Sequence, residues 1–128
     1  MLCVAFLVSC NSSVENNNTV TSSKTRTSID PNYNPEAKLA ALGIELKMPG
    51  TPVANYVHAV RSGNLLFLAG KGPKMDNGKN VEGKLGADVT IEEGYAAARW
   101  AAINQLAVLK SELGNLNKVS RIVKVTGM

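Results

Sequence analysis

The chain has 128 residues and a net charge of +4, and aromatic residues make up only 5% of it. This length allows one small domain. Its basic residues are interspersed with acidic ones, whereas a phosphate-binding surface needs clustered positive charge and aromatic platforms, so we do not expect nucleic-acid binding. Both cysteines, Cys3 and Cys10, lie in the first ten residues, so we expect neither a structural disulfide nor a metal site with the single His58.

The N-terminal residues 1–10, MLCVAFLVSC, form an apolar run that ends in a cysteine. The run resembles a bacterial lipoprotein signal, in which the last cysteine, here Cys10, carries the lipid. This resemblance implies export and anchoring to a membrane, with the protein facing the periplasm. Two alternatives are a truncated secretory signal and a misassigned start, because no Lys or Arg precedes the apolar run. An unused signal would leave the protein in the cytoplasm.

Residues 11–34 are rich in Asn, Ser and Thr and have no apolar period. Such a stretch cannot bury enough apolar surface to offset the chain entropy lost on folding. We therefore predict a flexible polar tether that leads to a folded domain over residues 35–128.

A short helix and a hairpin are predicted at the start of this domain. Pro35 occupies a first helical position, and Gly43 or a residue just beyond it ends the short helix. Strands are predicted over Tyr56–Val60 and Leu65–Gly70, with a turn at residues 61–64. The second run is almost continuously apolar, which is typical of a buried strand.

A long amphipathic helix is predicted from Thr90 to Gly114. Thr90 and Glu93 have the spacing of a capping box, and Gly114 can adopt the left-handed conformation that ends a helix. Short strands are predicted before the helix at Val81–Gly86 and after it at Val119–Val125. The predicted apolar face comprises Ile91, Tyr95, Ala98, Ala102, Leu106, Leu109 and Leu113.

Together these elements predict an α+β domain in which one long helix packs on a sheet of three or four strands. Many alanines make the helix thin, so it can approach the sheet closely. The last strand is apolar, and no further element follows it to cover its edge. We therefore expect either that another chain completes the sheet or that the sequence is a fragment of a longer domain.

Two segments resemble the RidA (YjgF, reactive intermediate deaminase) family: NYVHAV at residues 55–60 and GNLLFLAGKGP at residues 63–73. The family has here a strand that begins with tyrosine, a Gly-Asn turn, an apolar strand and a Ser-Gly-Gln-x-Pro segment. Residues 86–90 and 121–128 are similar to a subfamily labelled endoribonuclease. The resemblance covers about the N-terminal two-thirds of the family domain, which has a chorismate-mutase-like fold.

The resemblance implies hydrolysis of enamines and imines of amino acids to 2-oxo acids and ammonia, without metal or organic cofactor. The family site lies between the subunits of a homotrimer, where an arginine binds the substrate carboxylate through two hydrogen bonds. Tyr56 matches an aromatic residue that lines this site, and Gly70 matches a position where the backbone approaches the ligand. The family's serine and glutamine are replaced by Ala69 and Lys71. We expect the arginine in a segment beyond Met128, so catalytic residues are not assigned.

Three further residues are weaker candidates. His58 could act as a base, although a single histidine on a strand is more often a surface residue. Arg61 could replace the family's arginine, but a solvated arginine in a turn is the default. Lys71, between Gly70 and Gly72, could present its ammonium and nearby backbone N–H groups to an anion.

These residues leave three hypotheses for function. The first is an imine or enamine hydrolase in the complete protein, and the second is a noncatalytic trimer that binds a small carboxylate or serves as a scaffold. The third is a ribonuclease, for which the sequence offers neither paired histidines nor clustered cations.

Overall fold

The computed structural model describes residues 32–52 and 54–127, and the backbone of residues 5–10. In chain order the elements are β1 (Ala5–Cys10), α1 (Pro35–Ala41), β2 (Ala59–Ser62), β3 (Leu65–Leu68), α2 (Ile91–Leu113) and β4 (Val119–Thr126). A 3₁₀ turn at Leu116–Lys118 connects α2 to β4. The predicted α+β fold, with one long helix on a small sheet, is confirmed.

The four strands form one antiparallel sheet in the order β2-β3-β1-β4. The first strand in the chain is therefore a central one: Leu7 of β1 lies opposite Phe67 of β3 on one side and Lys124 of β4 on the other. Within the described part of the chain, β4 pairs with β1 and no other strand. Strand β4 thus joins the sheet through the N-terminal segment.

Strand β1 occupies residues that the sequence marked as a lipoprotein signal. A signal is recognised before the chain folds, so this strand does not test the signal, and lipidation at Cys10 stays a prediction. Of the predicted tether, residues 11–31 lie outside the described residues. Across the described segments, no helix is both long enough and apolar enough to cross a membrane.

The hairpin is shifted along the chain relative to its prediction. β2 begins at Ala59, after the predicted start at Tyr56, and continues through Ser62. The turn is then only Gly63 and Asn64, and Gly63 has a φ of 56°. A turn of two residues whose first has positive φ matches the right-handed twist of a hairpin, which lets pairing continue to the turn.

The strand predicted at Val81–Gly86 is absent from the described chain, and this prediction is wrong. In place of a strand, this segment makes an isolated β-bridge between Leu85 and Val89. Gly83 and Gly86 have φ values of 140° and 81°. These conformations turn the backbone at both positions, so an extended run cannot form.

Helix α1 is confirmed, with Pro35 in the first turn and the side chain of Asn34 accepting a hydrogen bond from the Ala37 N–H at 3.0 Å. Glu36 links this helix to the end of α2. Its carboxylate accepts from the Lys110 ammonium at 3.1 Å and from the Leu116 N–H at 3.2 Å. The Lys110 hydrogen bond, followed by that from Leu116, holds the pKa of Glu36 below its ordinary value of 4.5.

Both ends of α2 are confirmed. The Glu93 N–H donates to Thr90 Oγ1 at 3.2 Å, and the Thr90 N–H donates to Glu93 Oε2 at 2.9 Å, which completes the capping box. At the other end, Gly114 is left-handed, with φ at 75°, and its N–H donates to the Lys110 carbonyl at 2.8 Å.

The predicted apolar face of α2 is partly wrong. Ile91 and Tyr95 are 72% and 77% exposed, and of the seven predicted residues only Leu109 and Leu113 are buried. The buried stripe lies one residue earlier along much of the helix, about 100° around it; it includes Ala97, Ala101, Gln105 and Val108. The prediction favoured the large side chains, whereas the small alanines are what let the helix backbone approach the sheet.

The core forms where α2 contacts β3. Leu66 and Leu68 of β3 alternate with exposed residues, so both point towards the helix. The cluster comprises Leu66, Leu68, Ala101, Val108, Leu109, Leu113, Leu116 and Val119.

Replacement of Leu109, which is 1% exposed, tests this core. Leu109→Ala should lower the free energy of unfolding by about 2–5 kcal/mol, because it removes buried methyl groups and leaves a cavity. Urea denaturation followed by circular dichroism measures this loss. Glu112→Ala, at an exposed site of the same helix, is the control, and an equal effect of both substitutions would contradict the assignment.

The Glu36 interactions predict a dependence of stability on pH. Since folding lowers this pKa, Glu36 stabilises the fold fully above its unfolded pKa, and the contribution is lost as pH falls through the folded pKa. Glu36→Gln should therefore flatten the decline in unfolding free energy between about pH 5 and pH 3. Denaturation at a series of pH values measures it, with exposed Glu82→Gln as control. Identical pH profiles for wild type and Glu36→Gln would refute the linkage.

Candidate ligand-binding site

An open hollow of about 950 Å³ lies beside the β2–β3 hairpin. Its wall includes Tyr56, Val57, Val60, Phe67 and Ala69. Val60 pairs with Phe67 across the hairpin, so both side chains lie on the face of the sheet opposite α2. They are 56% and 43% exposed, and the hollow is therefore an apolar surface open to solvent.

Tyr56, His58 and Lys71 form a cluster beside this hollow. The Lys71 ammonium lies 2.6 Å from His58 Nδ1 and 5.8 Å from the centre of the Tyr56 ring. The Tyr56 and His58 rings meet edge to face, with centroids 6.3 Å apart. A cation at this distance from an aromatic face is attracted by the ring quadrupole. The three side chains thus support one another.

The hydrogen bonds of His58 fix its tautomer. Nε2 lies 2.7 Å from the Gly50 carbonyl oxygen, which can only accept, so Nε2 carries the proton. Nδ1 is then the acceptor for the Lys71 ammonium. Both ring nitrogens are therefore engaged, and His58 contacts the Lys71 side chain; its role as a base stays a prediction.

The segment from Ala69 to Lys74 is fastened to α2. Asn104 Nδ2 donates to the carbonyls of Gly72 and Lys74, each at 3.0 Å. Gln105, which is fully buried, donates from Nε2 to the Ala69 carbonyl at 3.0 Å. These bonds hold the segment before and after Lys71, so the helix sets the position of that side chain.

The structure brings together some of the predicted site residues. Tyr56 lines the hollow, and Gly70 lies between Ala69, which also lines it, and Lys71. Arg61 does not reach the hollow: it follows Val60 on the strand, so it projects to the opposite face, and its Nε donates to the Gly63 carbonyl at 3.1 Å. The roles of Tyr56 and Gly70 in binding stay predictions.

No group of three or more His, Cys, Asp or Glu side chains suited to a metal ion occurs in the described segments. The polar groups at the hollow, Tyr56 and Asn55 among them, suit an organic ligand better than a cation. Cys10 lies in β1, opposite Val119.

Comparison with known proteins identifies the family. Residues 36–128 match the family described as "YjgF/chorismate mutase-like, putative endoribonuclease". The chain belongs to this family. Its resemblance to YjgF proteins, inferred from the hairpin and the segment after it, is thereby confirmed.

Two relatives support the assignment. Protein TCP17 of Trypanosoma cruzi is 43% identical over 89 residues, which cover 70% of this chain and 56% of that protein. A crystal structure described as a putative endoribonuclease from Shewanella oneidensis MR-1 is 39% identical, with a TM-score of 0.62, over 67% of this chain and 57% of that one. The YjgF-like chain therefore spans little more than half the length of either relative.

Sequence reasoning missed the two helix residues that hold the site. Asn104 and Gln105 stand side by side within an otherwise apolar part of α2, between Ile103 and Leu106. Adjacent amides in such a place indicate a buried polar contact, because burial without a hydrogen bond is costly. The sequence pattern could therefore have predicted that Asn104 and Gln105 make hydrogen bonds, but it could not have predicted that their partners lie in the segment from Ala69 to Lys74.

Asn104→Asp tests the attachment of this segment. The carboxylate cannot donate and repels the Gly72 and Lys74 carbonyls, so the segment should open more often. Hydrogen exchange of the amides in residues 69–75 should accelerate by about tenfold, corresponding to a loss of roughly 1–2 kcal/mol of local stability. Arg99→Gln, at an exposed site on the same helix, should leave exchange unchanged. Equal protection in Asn104→Asp and wild type would rule out the attachment.

Proposed function

We propose that the complete protein hydrolyses 2-imino acids and their enamine forms to 2-oxo acids and ammonia, at a site between subunits of a homotrimer. In this proposal the hollow beside Tyr56 is one wall of that site. The reaction class follows from the resemblance to reactive intermediate deaminases. No metal or organic cofactor is invoked, because addition of water to a protonated C=N bond needs none.

The observation that carries the proposal is the open apolar wall. Tyr56, Val60 and Phe67 all line the hollow and are between 42% and 56% exposed. A cluster of apolar side chains on a surface often marks a contact with a ligand or another protein. One wall of this kind cannot exclude water from a small ligand, so a second surface is needed to enclose it. A neighbouring subunit would supply that surface.

The chemistry places few demands on this wall. Water adds to the electrophilic carbon of the iminium and loses one proton, and the nitrogen of the tetrahedral intermediate gains one. The C–N bond then breaks to release ammonia while the hydroxyl group loses its proton to the released ammonia or to solvent, which leaves the 2-oxo acid. An apolar pocket that orients the iminium and admits one water favours this sequence. The Tyr56 ring would pack against the substrate, and the acid–base groups are expected elsewhere in the complete protein.

Native protein isolated from its source cells provides the test. Intact mass spectrometry and sedimentation give its length and oligomeric state, and a trimer is expected. The protein is then mixed with 2-imino acids formed in situ by an amino-acid oxidase, with semicarbazide present to trap imine that has not been hydrolysed. We expect less semicarbazone than in a control that contains the oxidase but not this protein. An unchanged amount of semicarbazone would refute the proposed deaminase activity.

Tyr56→Leu should lower kcat/KM for the imine by about tenfold or more, because it removes the aromatic wall. Tyr95→Leu is the matched control: Tyr95 is 77% exposed on α2, away from the hollow. Activity that survives Tyr56→Leu undiminished would separate the reaction from this hollow.

A noncatalytic trimer that binds a small ligand is the second candidate. It is favoured by Ala69 and Lys71, which stand where the family pattern has serine and glutamine. Saturable binding of a 2-oxo acid without turnover of the imine would select this function over the first.

A further inference from the structure

The wall of the hollow is built without acidic or basic side chains. Among the described residues that line it, none is Asp, Glu, Lys, Arg or His, and the polar ones are Thr51, Asn55 and Tyr56. His58 and Lys71 contact Tyr56 but do not line the hollow. A charged group placed against this wall would therefore lose water without gaining a lining side chain of opposite charge.

The centre of the wall is a pair of apolar side chains from neighbouring strands. Val60 lies directly opposite Phe67 in the antiparallel pairing of β2 with β3. An aromatic and a β-branched side chain in such positions pack against each other, so the two form one continuous apolar patch. Contact with a hydrocarbon chain would remove this patch from water, which is favourable.

The shape of the hollow favours a small ligand over a flat contact. Its volume of about 950 Å³ is that of a pocket for a small organic molecule. Such pockets have a mostly apolar lining with a few polar groups, and the hollow has both. The apolar patch is thus the floor of a concave site, to which a hydrocarbon group of matching size can bind.

We propose that Val60 and Phe67 form the subsite for the side chain of the substrate, and that they restrict the site to 2-imino and 2-oxo acids with aliphatic or aromatic side chains. The inference rests on the proposed function for the class of reaction. The reaction that supplies such a substrate is then the oxidation of an apolar amino acid at its amino group. Binding of the substrate carboxylate is left to the remainder of the complete protein.

Two opposing effects give this subsite its selectivity. Each methylene group that the patch removes from water strengthens binding by up to about fourfold. A second carboxylate or an ammonium at the same place is desolvated without a partner, which weakens binding. A substrate derived from leucine should therefore bind better than one of similar size derived from glutamate.

Binding of 2-oxo acids to the native-length protein, measured by calorimetry, tests the selectivity. We expect 4-methyl-2-oxopentanoate to bind at least about tenfold more tightly than 2-oxoglutarate. In the series 2-oxobutyrate, 2-oxopentanoate and 2-oxohexanoate, affinity should rise by up to about fourfold at each step.

A charge introduced at Val60 should reverse the preference. Val60→Arg should weaken binding of 4-methyl-2-oxopentanoate and strengthen that of 2-oxoglutarate, each by about tenfold, because the guanidinium can pair with the second carboxylate. Val123→Arg is the matched control: Val123 is 48% exposed, lies on β4 and is not among the lining residues. It should change neither affinity.

Phe67→Ala tests the patch without adding charge. It should flatten the rise in affinity along the 2-oxo acid series, since the longer chains lose their contact surface, and Val123→Ala should leave the rise unchanged. Sedimentation of each variant shows whether its assembly is retained. If Val60→Arg dissociates the protein, Phe67→Ala decides the question.

Three results would overturn the subsite. They are equal affinity of the wild type for 4-methyl-2-oxopentanoate and 2-oxoglutarate, an unchanged rise along the series in Phe67→Ala, and no binding of any of these acids, as expected if another copy of the chain fills the hollow. Selective binding without imine turnover would retain the subsite and refute the deaminase. Turnover without selectivity for apolar side chains would retain the deaminase and refute the subsite.

Discussion

The contact between α2 and β3 is the interaction on which the rest of the structure depends. Leu66 and Leu68 pack in one core cluster with Ala101, whose small side chain lets the helix lie close to the sheet. The close approach also brings Gln105 within reach of the Ala69 carbonyl. One packing arrangement therefore fixes both the core and the strand end from which the candidate site is built.

The residues of the candidate site are held in place by the same helix that packs on β3. Lys71 lies on an irregular segment, and such segments are normally the mobile parts of a domain. Here Asn104 binds two carbonyls of the segment, and His58 binds the Lys71 side chain itself. The hollow is open, yet the groups at its edge are held by a rigid helix. An open but ordered surface of this kind suits the proposal that a second surface encloses the ligand.

The local features of the fold could be predicted from the sequence, since short-range chemistry determines them. The capping box at Thr90, the end of α2 at Gly114 and Pro35 in the first turn of α1 are set by neighbouring residues. The family could be predicted too, from the hairpin and the segment after it. Tyr56 was singled out as a candidate from the family pattern, and it lies in the wall of the hollow. Its role in binding stays a prediction.

What could not be predicted depends on contacts between distant residues. The orientation of α2 was misjudged because large side chains such as Tyr95 dominate the apolar pattern, while the alanines determine which face fits the sheet. The pairing of His58 with Lys71 spans 13 positions of sequence, and that of Gln105 with Ala69 spans 36. No local pattern encodes such pairs. The strand predicted at residues 81–86 was wrong for a different reason: two glycines in this segment turn the backbone, so its strand-like composition forms a loop.

If the N-terminal residues act as a signal, strand β1 links removal of that signal to the completion of the sheet. If a peptidase cut before Cys10, as the resemblance to a lipoprotein signal implies, most of the central strand would leave with the signal. β3 and β4 would then each lose a hydrogen-bonding partner, and β4 would lose its connection to the sheet. A processed chain would have to recruit a replacement strand, whereas an unprocessed one would keep its own. In that case the same six residues could serve either as part of a signal or as a strand of the sheet, but not as both in one chain.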